Sequence, residues 1–231
     1  MKVCVLQPDY STTAVDYKNY DPPRNLSALL PGHEVDHVFL NKLTTYNQLK
    51  KLGKKKYDVF VNLCEGYLEW EVPSIDVIYF LELLNLPFTG PSSLLYDPPK
   101  ELMKYVAYTE GVATPAYALI ETLEDITASC RHLHYPLFVI FSKAGDSLGI
   151  DENSLVNNEG ALYKKSAGII EEYGPLLVEE YVKGREFTVM LVANGNDEKQ
   201  VTVFNPVEYI FPDGREFKTY ALKTSELHPE C

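Results

Sequence analysis

The strongest constraint on this chain is the character and spacing of its first three apolar runs. Lys2 to Leu6 (KVCVL), Glu34 to Leu40 (EVDHVFL) and Tyr57 to Leu63 (YDVFVNL) are short and β-rich, with apolar residues on both faces. A strand of that kind has to be covered on both sides, as in a parallel sheet wrapped by helices. Thr44 to Leu52, between the second and third runs, predicts one such helix, with Leu49 and Leu52 at helical spacing. Pro73 to Leu86 predicts another, since Ile75, Ile78, Tyr79, Leu81 and Leu84 recur at threes and fours. The resulting β-α-β-α order implies an open parallel sheet with right-handed crossovers and a ligand crevice at the carboxyl ends of its strands. Residues 11–33, rich in Pro, Asp, Asn and Tyr, read as a long loop with one short helix.

Turn residues take over at Leu86 to Ser93 (LPFTGPSS), which sets a domain boundary and assigns residues 1–92 to a parallel α/β domain. Asp97 is placed as the N-cap of the next helix, with Pro98 and Pro99 in its first turn. That helix runs to about Glu110, stops at Gly111, and carries Lys100 and Lys104 on one face. Pro115 to Ile120 and Pro136 to Phe141 read as strands. Between them Thr122 and Asp125 have the spacing of a capping box, opening a helix to about His134. A glycine loop over Ala144 to Ile150 leads to an amphipathic helix over Gly160 to Tyr173. Leu176 to Val182, Phe187 to Ala193 and Gln200 to Val207 read as three strands in quick succession, antiparallel because their links are short. The fold class is a parallel α/β unit followed by an antiparallel α+β unit, with no internal repeat.

Charge narrows the partners: 21 Lys and Arg stand against 33 Asp and Glu, a net charge of −12, and no basic run exceeds Lys54-Lys55-Lys56. A surface of that sign repels phosphate backbones, so neither a nucleic acid nor an anionic membrane is expected as partner. No apolar run reaches the roughly 20 residues of a membrane span. The N-terminus MKVCVLQPDY lacks a signal-peptide core, and the expected location is the cytoplasm. Cys4, Cys64, Cys130 and Cys231 form no C-x-x-C pair, so neither a disulfide framework nor a zinc knuckle is indicated. The five histidines form no H-x-x-x-H array, and no G-x-S-x-G elbow points to a hydrolase. Most of the 17 tyrosines read as packing residues, with Tyr209 and Tyr220 the two in a stretch that would face substrate.

Two segments carry chemistry. Gly145-Asp146-Ser147-Leu148-Gly149 lies between a strand and a helix, and its glycines allow backbone N–H groups to converge on an oxyanion. The same composition also makes ordinary turns. In Leu177 to Phe187 (LVEEYVKGREF) an extended run meets a turn at Gly184, with Glu179 and Glu186 on either side. Such carboxylates accept from an amino group or a ribose diol, or are solvated charges.

Taken in order, LPFTGPSSLLYDPPKELMKYVAYTEGVATPAY, YPLFVIFSKAGDSLGI, LLVEEYVKGREFTVMLV and VEYIFPDGREFKTYALK resemble the ATP-grasp superfamily, most closely the D-alanine:D-alanine ligases and related carboxylate-amine ligases. The resemblance covers about residues 80–225. It implies that Lys104 contacts ATP phosphates, that Gly145, Ser147 and Gly149 close over them, and that Lys223 touches them from the far side. It implies adenine on the backbone of Glu179, Glu180, Tyr181 and Val182, and ribose on Glu186. ATP with Mg2+ would activate a small carboxylate, such as an amino acid, as an acyl phosphate for attack by an amine. Residues 93–183 would form the lid subdomain and 184–231 the start of a second, truncated one. Three departures qualify this. Ile140 stands where the family carries a second phosphate-binding lysine, no Glu-x-Asn pair for magnesium occurs in the sequence, and QPDYSTTAVDYKNYDPP replaces the glycine-rich signature at the front. The expectation is therefore a ligase-like chain that is catalytically impaired or an incomplete piece of an active enzyme. The rival is a non-enzymatic nucleotide-binding or assembly module with a degenerate cleft. An unfinished last domain would also expose apolar surface for a second copy, a homo-oligomer.

Overall fold

The computed structural model describes residues 1–13, 21–143, 145, 147–194, 197–211 and 216–223. Chain contacts fall into two units, Met1–Pro98 and Pro99–Cys231.

In the first unit β1 (Lys2–Pro8) lies between β2 (Glu34–Leu40) and β3 (Val59–Asn62), all parallel. Every β1 residue after Lys2 is buried, as a central strand apolar on both faces requires. Helices α1 (Thr45–Gly53) and α2 (Ile75–Leu83) supply Leu49, Leu52, Val77 and Leu81 to a core with Cys4, Leu6, Leu40 and Phe60. Each fully buried Leu or Phe of that set contributes about 1.5–3 kcal/mol. Lys42 anchors the entry to α1, its Nζ donating to Asp76 Oδ1 at 2.7 Å and Ser74 Oγ at 3.0 Å. The long loop contains 3-10 turns at Tyr10–Thr12 and Ser27–Leu29, and the stretch 14–20 lies outside the described residues.

This unit continues past α2. Phe60 N donates to Pro87 O at 2.8 Å, Thr89 N to Phe60 O at 2.9 Å, and Gly66 N to Tyr96 Oη at 2.6 Å. Asp97 is not a helix cap. It sits at φ 47°, a conformation Asp tolerates, and accepts from Tyr67 Oη at 3.1 Å. The next helix, α3 (Lys100–Thr109), starts from an extended Pro99 instead.

The second unit is built on a four-stranded sheet in the order β4 (Tyr117–Ile120), β7 (Leu176–Glu180), β5 (Leu137–Phe141), β6 (Leu155–Val156), antiparallel throughout. Helices α4 (Ile126–Cys130) and α5 (Glu159–Tyr173) cover one face. Asn158 caps α5 by accepting from Ala161 N at 2.9 Å. Two expectations fail here. The Thr122 and Asp125 side chains bond each other at 2.8 Å rather than the backbone, so no capping box forms and α4 ends at Cys130, well before His134. The three strands from Leu176 onward are not one meander, because β7 pairs with β4 and β5 and ends at Glu180. The remainder forms an antiparallel ribbon of β8 (Glu186–Thr188) and β9 (Leu191–Asn194) against β10 (Asp197–Val203) and β11 (Val207–Tyr209). Both ribbon arms are interrupted, and Phe204 N donates to Met190 O at 3.0 Å across the break. A short α6 (Tyr220–Lys223) follows.

Candidate functional site

Side chains alternate across a strand, so the pairing register of β4, β7 and β5 sorts the sheet into rows. Ala118, Val178 and Val139 form one row, and Ile120, Leu176 and Phe141 another, all in the core beneath α4 and α5. The opposite face carries the rows Tyr117, Glu179, Phe138 and Leu119, Leu177, Ile140. None of these six belongs to that core cluster. The two faces therefore differ in kind: one is apolar and sealed, the other mixes carboxylate, phenol and hydrocarbon.

On this second face two expected site residues meet. Lys104 Nζ, on α3, lies 2.7 Å from Glu179 Oε2, donates to Pro115 O at 3.1 Å, and sits 5.1 Å from the Tyr117 ring centroid. Its side chain is only 10% exposed. The next residue points elsewhere: Glu180 accepts from His134 N at 2.9 Å and is 2.8 Å from His134 Nδ1. Those bonds to His134 hold its carboxyl below the usual carboxylate range. Glu180 N and Tyr181 N are both spent, on Ala116 O and Pro136 O, at 2.9 Å each. The Tyr181 ring stands 6.0 Å from Phe138 and 6.3 Å from Phe217, making an aromatic group at the strand exit. Val182 is exposed, and half-buried Glu186 opens β8 opposite Tyr209. Arg185 grips Glu208 through two bonds of 2.6 Å, Lys183 pairs with Glu216, and Lys218 Nζ lies 4.2 Å over the Tyr209 ring.

The glycine loop lies beyond the other end of the same rows. Its entry is set by α3, where Lys100 N donates to Ser142 O at 2.9 Å and Ser142 Oγ to Glu101 Oε2 at 2.6 Å. Ser147 and Gly149 adopt positive φ, 57° and 67°, and Leu148 N closes on Gly145 O at 3.1 Å. A Cβ on Gly149 would come within 2.3 Å of the Phe141 ring, so only glycine fits there. Its exit is held by a residue the sequence reading missed: Lys165, on α5, donates to Gly149 O at 2.9 Å and Asp151 Oδ1 at 2.8 Å. Burial pushes the Asp151 carboxyl up, but the Lys165 ammonium and Asn153 N–H outweigh it and hold the group below its usual range. Nothing local marks Lys165, because its partners lie in the preceding loop. A cavity of about 430 Å³ lies between this loop exit and α5, lined by Phe141, Gly149, Asp151, Asn153, Lys165 and Glu172, among others. Tyr220 N reaches the same exit, donating to Ile150 O at 3.0 Å. Ala144, Asp146 and the Lys223 side chain lie outside the described part.

Cys4, Cys64 and Cys130 are buried, and burial pushes the Cys4 and Cys130 thiols up to about 11. Among the described residues no group of three or more His, Cys, Asp or Glu side chains is placed to hold a metal. No helix of the described residues is long and apolar enough to cross a membrane.

Residues 107–227 match the family model described as D-ala D-ala ligase C-terminus. A D-alanine–D-alanine ligase of Polynucleobacter asymbioticus is 33% identical over 127 residues, covering 53% of this chain and 36% of that protein. One from Janthinobacterium is 30% identical over 160 residues, covering 64% and 48%. The chain thus spans less than half the length of these curated relatives. Among solved structures, a D-alanine–D-alanine ligase from Bacillus anthracis complexed with ATP superimposes with a TM-score of 0.56 at 20% identity, covering 82% of this chain and 62% of that one. N5-carboxyaminoimidazole synthetase from Staphylococcus aureus complexed with ADP gives 0.60 at 16% identity, covering 94% and 56%. With a family match over half the chain and the same fold in both neighbours, the chain belongs to the D-alanine–D-alanine ligase C-terminal family, within the ATP-grasp superfamily.

Proposed function

We propose that this chain binds ATP along the second face of the β4-β7-β5-β6 sheet. Adenine sits at the Glu179 to Val182 end, ribose on Glu186, and the phosphates at Gly145, Ser147, Gly149 and Lys223. One observation carries the reading: a half-buried charged pair and an aromatic group stand at one end of a sheet face, and a glycine loop tethered at both roots stands at the other. A long ligand with an apolar base at one end and anionic oxygens at the other matches that polarity. The reaction class is carboxylate-amine ligation. A carboxylate oxygen attacks the γ-phosphorus and ADP leaves; an amine then attacks the acyl carbon, inorganic phosphate leaves, and the amine gives up a proton. The chain's part is to bind and orient the nucleotide, which is where phosphoryl transfer gains most. Within this reading residues 93–183 act as the lid and 184–231 begin the second subdomain. The exposed apolar residues of the ribbon, among them Met190, Leu191 and Val203, are a face for a second copy.

A second reading, nucleotide binding without turnover, is favoured by Ile140. It lies on the same face as Glu179, one row away, where a lysine would reach a bound phosphate. Removing one such electrostatic contact costs about 10²- to 10³-fold in rate. Calorimetric titration with ATP and ADP, with and without magnesium, tests binding. Phosphate release from ATP across D-amino acids, L-amino acids and small hydroxy acids tests turnover. Absence of nucleotide binding sinks both readings. Substrate-dependent release at about one turnover per second sinks the second alone.

A further inference from the structure

The cavity beside the glycine-loop exit lies on the α5 side of the sheet, away from the Glu179 face. We infer that it is a second binding site, for a short zwitterionic peptide, and that filling it steadies the exit of the loop. The site is independent of the ATP-binding reading, since of its lining residues only Gly149 is among those expected to meet nucleotide.

Phe141, Val156 and Ile169, which line the cavity, belong to the core cluster under α5. From α5 come Ala161, Lys164, Lys165, Gly168, Ile169 and Glu172, spaced at threes and fours along one face of the helix. The volume of about 430 Å³ is that of a small-molecule pocket, about 300–1,000 Å³. Gly168 is the residue on that face that packing does not explain. It lies deep inside the 15-residue α5, where glycine destabilises relative to alanine, yet a Cβ built on it would meet no atom within 4 Å. A bare backbone there lets a ligand come close to the helix.

The charges on the stripe select the ligand. Lys165 is committed to Gly149 O and Asp151. Among the described residues, the side chains of Lys164, Glu172 and Asn153 make no hydrogen bond or ion pair. Lys164 and Glu172 are two turns apart, about 12 Å along the axis, so a cation lines one end of the stripe and an anion the other. The matching ligand carries a carboxylate for Lys164 and an ammonium for Glu172, with amide groups between them for the Asn153 carboxamide. An extended peptide of three residues, about 10 Å long, meets that description, and a single amino acid is too short. Gly149 and Asp151 form one wall, so the ligand adds contacts to the same exit that Lys165 tethers.

Trialanine and its N-acetylated and C-amidated forms are titrated calorimetrically into wild type, Gly168→Leu, Lys164→Gln and Glu172→Gln, with thermal melts to check folding. Wild type should bind trialanine. Gly168→Leu, whose side chain enters the cavity, should bind it about tenfold more weakly or worse while melting no lower than wild type, because leucine is the better helix former. Lys164→Gln and Glu172→Gln should each weaken it about tenfold. N-acetylation should cost wild type the same factor and Glu172→Gln nothing further, and amidation should pair with Lys164→Gln in the same way. Trialanine should slow amide exchange at Gly149 to Ser154 in wild type and not in Gly168→Leu, and saturating ATP should leave it bound. No binding by wild type, equal binding by Gly168→Leu, unchanged exchange or displacement by ATP would each overturn the inference. If Gly168→Leu does not fold, the capped peptides decide: a full further loss on capping in both charge variants overturns it. Failure of wild type to bind ATP while trialanine behaves as expected removes the nucleotide reading and supports this site.

Discussion

The two faces of the β4-β7-β5-β6 sheet come from the same few residues read alternately, yet they do opposite work. One face buries Leu176, Val178, Val139 and Phe141 against α4 and α5 and holds the unit together. The other buries Leu177 and Ile140 in the middle, leaves Leu119 37% exposed at its edge and seats a lysine–glutamate pair at its end. A sealed face gains free energy from every methylene it removes from water, whereas a face kept for a ligand forgoes part of that gain. Stability and recognition are thus separated by the period of the strand, and substitutions one residue apart should have different consequences.

The largest effect is expected on the sealed face. Leu176→Ala leaves a cavity between Ile120 and Phe141 and should cost about 2–5 kcal/mol in urea unfolding, with nucleotide affinity unchanged while the protein is folded. An effect under about 1 kcal/mol would show that α5 does not seal that row. Ile140→Lys probes the opposite face. Ile140 is 8% exposed beside fully buried Leu177, so an added ammonium should destabilise by about 2–3 kcal/mol without nucleotide. Saturating ATP should then raise the melting temperature of this variant more than that of wild type, because the new cation faces the cleft. An equal ATP shift in both proteins would put Ile140 out of reach of phosphate.

Gly149→Ala sharpens the comparison at the loop. Positive φ together with the Phe141 contact should cost about 1–3 kcal/mol. ATP affinity should fall by more than adenosine affinity, since the loop serves the phosphate end. The smallest effect is pH-dependent. Folding lowers the Asp151 pKa, so its ion pair with Lys165 stabilises the loop exit above the ordinary carboxylate range. That contribution is lost as pH falls through the depressed value. Amide exchange at Gly149 to Ser154 should rise relative to the sheet on acidification, and Lys165→Met should abolish the difference.

Much of this protein is legible in its sequence, because its elements follow local periodicity. Apolar runs anticipated β1, β2 and β3 as parallel strands, but only β1 is covered on both faces, since Phe39 on β2 is exposed; Leu49, Leu52, Ile78 and Leu81 are buried as helical spacing predicts, whereas Tyr79 turns outward. The glycine loop and the EEYVKGREF segment were legible as residue types in an order that no single turn would need. What local pattern could not supply was the choice among partners. Thr122 and Asp125 have capping-box spacing, yet they satisfy each other, since side-chain bonding competes with backbone capping over the same short distance. Phe187 to Ala193 looks like one strand and is interrupted because its pairing with the returning arm shifts register. Lys104 and Glu179 belong to a helix and a strand far apart in the chain, and only the packing of α3 across the sheet makes them a pair. Composition and periodicity determined which elements form and which face of each is apolar, because those properties are set within a few residues. Tertiary structure alone decided which charge meets which, because an ion pair between a helix and a strand depends on where two distant backbones stop.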